Sequence, residues 1–224
     1  MSRVLCIGDT HLPFTHKDYL KFCKKIYKKW ECNKVVHIGD VFDLHAMSYH
    51  ETDPDGMSAG DELKAARKMV RPWWKAFPKL TVTIGNHDKI PYRKALTHGI
   101  SRHMLKDYNE VYGIEANWKW DMGVEIDGVW YQHTGGSSGK LAHLTACEKH
   151  RTSFVMGHVH AYAGVAFSAS YKDRLFGMNV GCGIDSKAYA FHYGKGFASR
   201  PVLGCGVVLD GTQPLFIPME LKDE

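Results

Sequence analysis

The sequence lacks any apolar run near the roughly 18–20 residues that cross a bilayer, so no membrane span is expected. It lacks a charged leader with an apolar stretch and a small-residue cleavage site. Arg3-Val4-Leu5-Cys6-Ile7 reads almost at once as a strand, and no signal peptide is expected. No C-x-x-C pair occurs among Cys6, Cys23, Cys32, Cys147, Cys182 and Cys205, which leaves a zinc ribbon without its spacing. Several of these cysteines sit in apolar strand patterns, where a free thiol packs as a small hydrophobe. A disulfide framework is not expected at 224 residues, and a reducing cytoplasm is the default compartment. Repeats, low-complexity segments and internal boundaries are also missing, so a single domain over 1–224 is expected. Nor is there a strong excess of charge. A net +5 permits an anionic substrate without indicating nucleic acid by itself.

What the chain has in quantity is histidine, with 14 residues, in an otherwise ordinary composition of 44% hydrophobic and 24% charged. Three short apolar runs share one grammar. Val4-Leu5-Cys6-Ile7 ends at Gly8-Asp9, Val35-Val36-His37-Ile38 at Gly39-Asp40, and Leu80-Thr81-Val82-Thr83-Ile84 at Gly85-Asn86. Such runs fit central strands covered on both faces. Each closes on glycine and a residue able to bind metal, and ligands gather at the carboxyl ends of strands in α/β sheets.

Helical spacing joins Leu20, Cys23, Ile26, Tyr27 and Trp30 over residues 17–31, with Lys21, Lys24, Lys25, Lys28 and Lys29 on the remaining surface. A second helix is expected from Ala59 or Gly60 through Leu63, Ala66 and Val70, with Pro72 ending or kinking it. A third is expected over 91–105, Pro91 standing at a first helical position. Further on, strand patterns crowd together at 124–126, 129–132, 154–156, 175–180, 204–209 and 215–218, interrupted by a helix over 139–149. Asp127-Gly128 and Asp210-Gly211 read as hairpin turns. The expected fold is α/β: two facing β-sheets with helices outside, a four-layer α/β/β/α arrangement.

Five clusters carry chemistry: Asp9-Thr10-His11, Gly39-Asp40-Val41-Phe42-Asp43, Gly85-Asn86-His87-Asp88, His133 before Thr134-Gly135-Gly136, and Gly157-His158-Val159-His160. Side chains two apart on extended chain point the same way, so Asp9 with His11, and His158 with His160, can converge on one ion. A phosphate ester is anionic and repels hydroxide. Two divalent ions about 3.5–4 Å apart generate hydroxide at neutral pH and offset phosphoryl charge. Mixed carboxylate, imidazole and amide ligands suit manganese, iron or zinc better than calcium or magnesium.

In this order the clusters resemble the calcineurin-like metallophosphoesterase superfamily, whose signature reads D-x-H, G-D-x-x-D, G-N-H-D/E, a lone H and G-H-x-H. The likeness spans Asp9 to His160 and extends to small phage and bacterial members presumed to act on DNA. The lone histidine departs from the usual pattern, because Gln132 and Thr134 flank it where many members have glycine. His133 is chosen because it ends a strand pattern, whereas His143 and His150 look helical.

The resemblance implies two facing sheets flanked by helices. It also implies a ligand set: Asp9, His11 and His160 for one ion, Asn86, His133 and His158 for the other, and Asp40 between them. Asp43 would fix a ligand or water. His87 would face the scissile phosphate and protonate the leaving oxygen, oriented by Asp88. The implied cofactors are two divalent ions, manganese first, with iron, zinc or nickel as alternatives.

The expected activity is hydrolysis of a phosphodiester in nucleic acid or a nucleotide, by in-line attack of a metal-bridging hydroxide. A phosphomonoesterase acting on a nucleotide or protein is the alternative, and a non-catalytic metal-binding scaffold is the rival of another class. The partner is an anionic phosphoester, such as DNA, RNA or a nucleotide, and no membrane is expected.

Two segments could choose the substrate. Residues 44–61 form a long stretch after the second motif. Residues 185–200 mix Lys187, Tyr189, His192, Tyr193, Lys195 and Arg200 with glycines, and of these Lys187, Lys195 and Arg200 are the candidate substrate-binding residues. His45 and His50 could approach the site, and His37 reads as a satisfied core residue. His16, His98, His103, His143 and His150 read as solvated or capping. The lysine-rich helix face, Trp73-Trp74, Met47, Met57 and Met69 read as ordinary surface and packing.

Overall fold

The computed structural model describes residues 1–49, 54–188 and 200–220. Strand β1 (Arg3–Ile7) is followed by α1 (Tyr19–Lys29), β2 (Lys34–His37), α2 (Ala59–Ala76), β3 (Lys79–Thr83), α3 (Ile90–Thr97), α4 (Tyr108–Tyr112) and β4 (Asn117–Asp121). Then come β5 (Val124–Ile126), β6 (Val129–Tyr131), α5 (Ala142–His150), β7 (Ser153–Met156), β8 (Gly164–Ala169), β9 (Arg174–Asn179), β10 (Gly204–Leu209) and β11 (Gln213–Pro218). Six strands form one sheet in the order β11-β10-β1-β2-β3-β4, and five form the other in the order β5-β6-β7-β9-β8. In the first, β1 to β4 run parallel, β10 pairs antiparallel with β1, and β11 pairs antiparallel with β10. In the second, β6, β7 and β9 are parallel, with antiparallel edges.

The two-residue period of a strand divides the apolar side chains between two cores. Leu5 and Ile7 of β1 pack with Tyr19, Cys23 and Ile26 of α1 and with Ala66, Val70 and Trp73 of α2. Val4 and Cys6 point the other way, onto Val129, Tyr131, Val155 and Met178 of the second sheet. On β7, Val155 faces this inter-sheet core, while Phe154 and Met156 meet Ala142, Ala146 and Cys147 of α5. The layers are therefore helix, sheet, sheet and helix, and the fold is the two-sheet sandwich expected from the strand patterns.

Several boundaries differ from expectation. Helix α2 runs on through Pro72 to Ala76. Its inner face continues past the proline, with buried Glu62, Ala66, Val70 and Trp73 at helical spacing and Phe77 at the cap. The gain from that burial outweighs the ~3 kcal/mol that an interior proline costs. Helix α3 stops at Thr97 rather than at 105, because Gly99 lies in the left-handed region that closes helices. Strands β4 and β8 and helix α4 carry too short or mixed a pattern to stand out in the sequence. Both Asp-Gly pairs have positive φ at each residue, the geometry of tight hairpin turns. No helix among the described residues is long and apolar enough to cross a membrane.

Candidate metal centre

The carboxyl ends of β1, β2, β3, β6 and β7 lead directly into the five motifs. Their side chains meet at one place. Asp9, His11 and His160 bring one donor atom each within 4.8 Å of one another, as do Asp40, His133 and His158. His11, Asp40 and His87 form a third such group. Asn86 joins through its side-chain oxygen, 2.9 Å from His133 Nε2.

The supporting contacts aim these side chains. His11 Nδ1 donates to Asp43 Oδ1 at 2.6 Å. His133 Nδ1 donates to the Ile38 carbonyl at 2.7 Å, which turns Nε2 toward Asp40 Oδ2 at 3.1 Å. Asp9 Oδ2 accepts from His158 N and from His160 Nε2, both at 2.9 Å. Asp40 Oδ1 accepts from His87 N at 2.8 Å. An imidazole held at one nitrogen by a carboxylate or carbonyl presents the other in a fixed direction, as metal-binding histidines do.

Three of the donor residues adopt positive φ. Among the described residues, the non-glycine residues with positive φ are His11, Asp40 and His158 at the centre, and Glu31, Leu44, Asp127, Arg151 and Asp210 elsewhere. The second group lies at helix ends and in the Asp-Gly turns, where such conformations are ordinary. The first lies among the candidate metal ligands, and sparsely populated conformations of this kind gather at functional sites. The glycines are placed for close approach: a Cβ on Gly157 would stand 2.2 Å from Asp9 Oδ1, and one on Gly85 2.0 Å from Asp40 Oδ1.

The charges are unbalanced in the direction that a cation would correct. Asp9 and Asp40 are buried, and among the described residues only imidazoles form ion pairs with them. Asp9 Oδ1 is buried and accepts no hydrogen bond among the described residues. Burial works to raise the Asp40 carboxyl, but His133 and His87 hold it well below the usual carboxylate range. Burial works to lower His133, yet Asp40 and Asp9 raise it to about 10. Burial and the His87 charge push His11 well down, and burial and His133 lower His158. A buried carboxylate pair surrounded by oriented imidazoles fits divalent metal ions.

His87 and Asp88 divide their work differently from expectation. His87 Nδ1 lies on the Asp43 carbonyl, with Asp43 Oδ1 at 3.5 Å. Asp88 does not hydrogen-bond His87. Its carboxylate accepts from the backbone of Val41 at 3.1 Å, Phe42 at 3.3 Å and Gly85 at 2.9 Å, tying the second motif to the third. Burial and Asp40 push the Asp88 carboxyl up to about 7 against these donors. Against burial, Asp40 and Asp43 raise His87 above its ordinary range, and the Asp88 charge adds to this.

Of the candidate substrate residues, Lys187 is exposed and its N–H donates to Asp185 Oδ1 at 3.0 Å. Arg200 is exposed. Lys195 lies outside the described residues, as do Tyr189, His192, Tyr193 and His50. Both roots of the 185–200 segment touch the centre. Gly183 N donates to Asp9 O at 2.8 Å, and Val202 N donates to His160 O at 2.8 Å.

His37 is buried, with Nε2 3.1 Å from Thr10 Oγ1. His45 is buried beyond Asp43 and belongs to none of the three donor groups. His16 and His143 are buried rather than solvated, though His16 Nδ1 accepts from Asp18 N at the start of α1.

Two positioning residues give only faint signals in the sequence. Glu62, on the inner face of α2, accepts from His45 N at 3.0 Å and Ala46 N at 2.9 Å, holding the chain just beyond Asp43. Its acidity, at a position of the helix that is otherwise apolar, was the available clue. Asn179 donates to Val159 O at 3.0 Å, steadying the chain between His158 and His160. It ends an apolar strand next to glycine-rich chain, the grammar of the first three motifs.

The architecture and the site together define a two-sheet protein with a convergent aspartate–histidine metal centre. A family model for calcineurin-like phosphoesterases matches residues 2–185, and the chain belongs to that family. No curated protein matches it significantly. Among solved structures it is similar to vacuolar protein sorting 29 from Cryptosporidium parvum, with 14% identity, a TM-score of 0.43, and coverage of 99% of this chain and 98% of that one. A single mutant of the Entamoeba histolytica protein of that name gives 10%, 0.40, 97% and 99%. The Chaetomium thermophilum protein gives 12%, 0.38, 92% and 79%. Likeness of this degree assigns no function.

Proposed function

We propose that this chain is a two-metal phosphodiesterase acting on nucleic acid or a nucleotide. The observation that carries the reading is the convergence of seven donor residues beside an imidazole raised above its ordinary range. Asp9, His11 and His160 would hold one ion and Asn86, His133 and His158 the other, with Asp40 available to both. Divalent ions bound there, manganese foremost, would supply an activated water and offset phosphoryl oxygen charge. His87, held at Nδ1 by Asp43, presents Nε2 to the leaving oxygen and gives it a proton. Asp43 orients both His87 and His11. The roots of the 185–200 segment beside Asp9 and His160 support a substrate-gripping role for Lys187, Lys195 and Arg200. The described cysteines are all free and buried, which agrees with a reducing cytoplasm, and the shared inter-sheet core agrees with one domain over 1–224.

The test separates chemistry from metal binding. His87→Ala lowers kcat on bis-p-nitrophenyl phosphate by about 10²–10⁴-fold and keeps metal content near wild type. Asp40→Asn loses metal, because it removes charge shared by both ions. Equal metal loss in the two variants would assign His87 to the third donor group, as a ligand.

A further inference from the structure

A cluster of charge and one aromatic ring lies at α3, the helix that follows the third motif. Tyr49 stands six residues beyond Asp43 in sequence, and the residue is 56% exposed. Two cations from α3 lie over that ring. Arg93 Cζ is 5.3 Å from the ring centroid and Lys94 Nζ is 5.1 Å. Lys94 in the last turn of α3 has a second reason to be there, since cations favour helix C-termini. That preference does not bring in an aromatic ring from a different segment. Among the described residues, neither Arg93 nor Lys94 forms an ion pair with a carboxylate.

The patch is electrostatically continuous with the centre. Lys89, at the N-cap of α3, directly follows His87-Asp88. It is close enough to Asp40, Asp88 and Arg93 for their charges to act on its ammonium group. Arg93 follows it by one turn of helix, about 5.4 Å along the axis. Positive charge thus runs from beside the shared carboxylate to an exposed ring that the two cations steady. Cation–π contacts at exposed sites contribute only ~0.5–1 kcal/mol each, enough to bias the ring toward α3 and leave its free surface available.

Phosphates on cations and an unstacked base on an aromatic ring are the two contacts that bind single-stranded nucleic acid without sequence preference. We propose that Tyr49, Arg93 and Lys94 form a subsite for a nucleotide flanking the scissile phosphate of a single-stranded nucleic acid. The base stacks on Tyr49, and the neighbouring phosphates lie on Arg93 and Lys94. This rests on the phosphodiesterase reading for its place in a reaction, but the binding itself can be measured without turnover.

The experiment measures binding of a short fluorescent oligothymidylate containing 2-aminopurine, in chelator, across a salt series. Arg93→Gln with Lys94→Gln should weaken binding at low salt and flatten the slope of log K against log salt by about 1.4, two phosphates at ~0.7 each. Tyr49→Leu should weaken binding by about five- to hundredfold and abolish 2-aminopurine quenching. Tyr49→Phe should restore both. Lys24→Gln with Lys28→Gln, which removes equal charge from α1, should leave the affinity near wild type.

The subsite is overturned if the patch variants bind like wild type, if Tyr49→Phe behaves like Tyr49→Leu, or if the α1 pair weakens binding as much as the α3 pair. It is also overturned if the wild type binds no single strand at low salt. In that case hydrolysis of bis-p-nitrophenyl phosphate by the manganese-loaded protein leaves the phosphodiesterase reading standing. Patch-dependent binding without diester hydrolysis under any metal has the opposite meaning: the subsite stands and the phosphodiesterase reading falls.

Discussion

Replacing Gly157 by alanine should damage the metal centre without touching a ligand. The new Cβ would stand 2.2 Å from Asp9 Oδ1, with its next neighbours at 3.3 and 3.4 Å. Ordinary contact begins near 3.4 Å, so the carboxylate must retreat by 3.4 − 2.2, or about 1.2 Å. Gly157 does not have positive φ, so the backbone itself accepts alanine and the collision is the whole effect. Asp9 cannot swing away cheaply, because its other oxygen accepts from His158 N and His160 Nε2. Metal–ligand distances tolerate only about ±0.2 Å, so a shift of this size removes Asp9 as a good ligand.

Manganese affinity of metal-stripped protein, measured by isothermal titration calorimetry, should fall by at least about 10–100-fold. Overpacking should cost about 1–3 kcal/mol, lowering the calorimetric Tm by about 2–12 °C for a chain of this size. Gly60→Ala is the control. Its nearest neighbour would be Ser58 Oγ at 3.9 Å, so metal binding should hold and stability should rise by ~0.5–1 kcal/mol. Manganese affinity within twofold of wild type in Gly157→Ala would refute the placement of Asp9 in the metal shell.

Chelation should abolish hydrolysis of bis-p-nitrophenyl phosphate, and manganese should restore it at least as well as magnesium. Full activity after confirmed metal removal would exclude the two-metal reading. Glu62 should make stability pH-dependent: burial raises its carboxyl from 4.5 to about 7 despite the backbone donors. The folded chain then holds a proton that the unfolded chain has lost between these values, so its stability falls as pH rises through that window, by on the order of 3 kcal/mol. Glu62→Gln does not titrate, and the Tm of wild type relative to this variant should drop from pH 4.5 to 7; a constant difference contradicts the assignment. Replacing Lys187, Lys195 and Arg200 together with alanine should weaken single-stranded nucleic-acid binding and flatten its salt slope. An unchanged slope in an anisotropy titration removes that segment from substrate recognition.

Much of the architecture could be read from the sequence because buried parallel strands are short, apolar and end abruptly at glycine. β1, β2 and β3 announce themselves in this way. Where the physics is tertiary, the sequence misleads. Pro72 reads as a helix end, since proline removes a donor and clashes with the preceding turn. What keeps α2 going is the burial of Trp73 and Phe77 against a sheet that local pattern cannot reveal. β4 escapes notice because only Trp118 of its five residues is fully buried, and β8 because it is an edge strand with mixed exposure.

At the site, the donors were readable and the contacts that aim them were not. Asp9, Asp40, Asn86 and His158 each follow a strand and a glycine, a local arrangement visible in a few letters, and the other three donors lie within two residues of such a donor or directly after a strand pattern. The aiming contacts join loops far apart in sequence: Asp43 to His11 and His87, Asp88 to Val41 and Phe42, Glu62 to His45 and Ala46, Asn179 to Val159. The family resemblance implied Asp88 as the partner of His87, yet residues adjacent in sequence diverge where the chain turns sharply. The carboxylate beside His87 goes inward to three backbone N–H groups, and the imidazole goes outward to a carbonyl 44 residues away in sequence. That exchange has a physical logic. The Asp43 carbonyl at Nδ1 fixes the ring and leaves Nε2 free to face a phosphate. The buried Asp88 spends its charge on holding the second and third motifs together, and both motifs supply donors to the same centre.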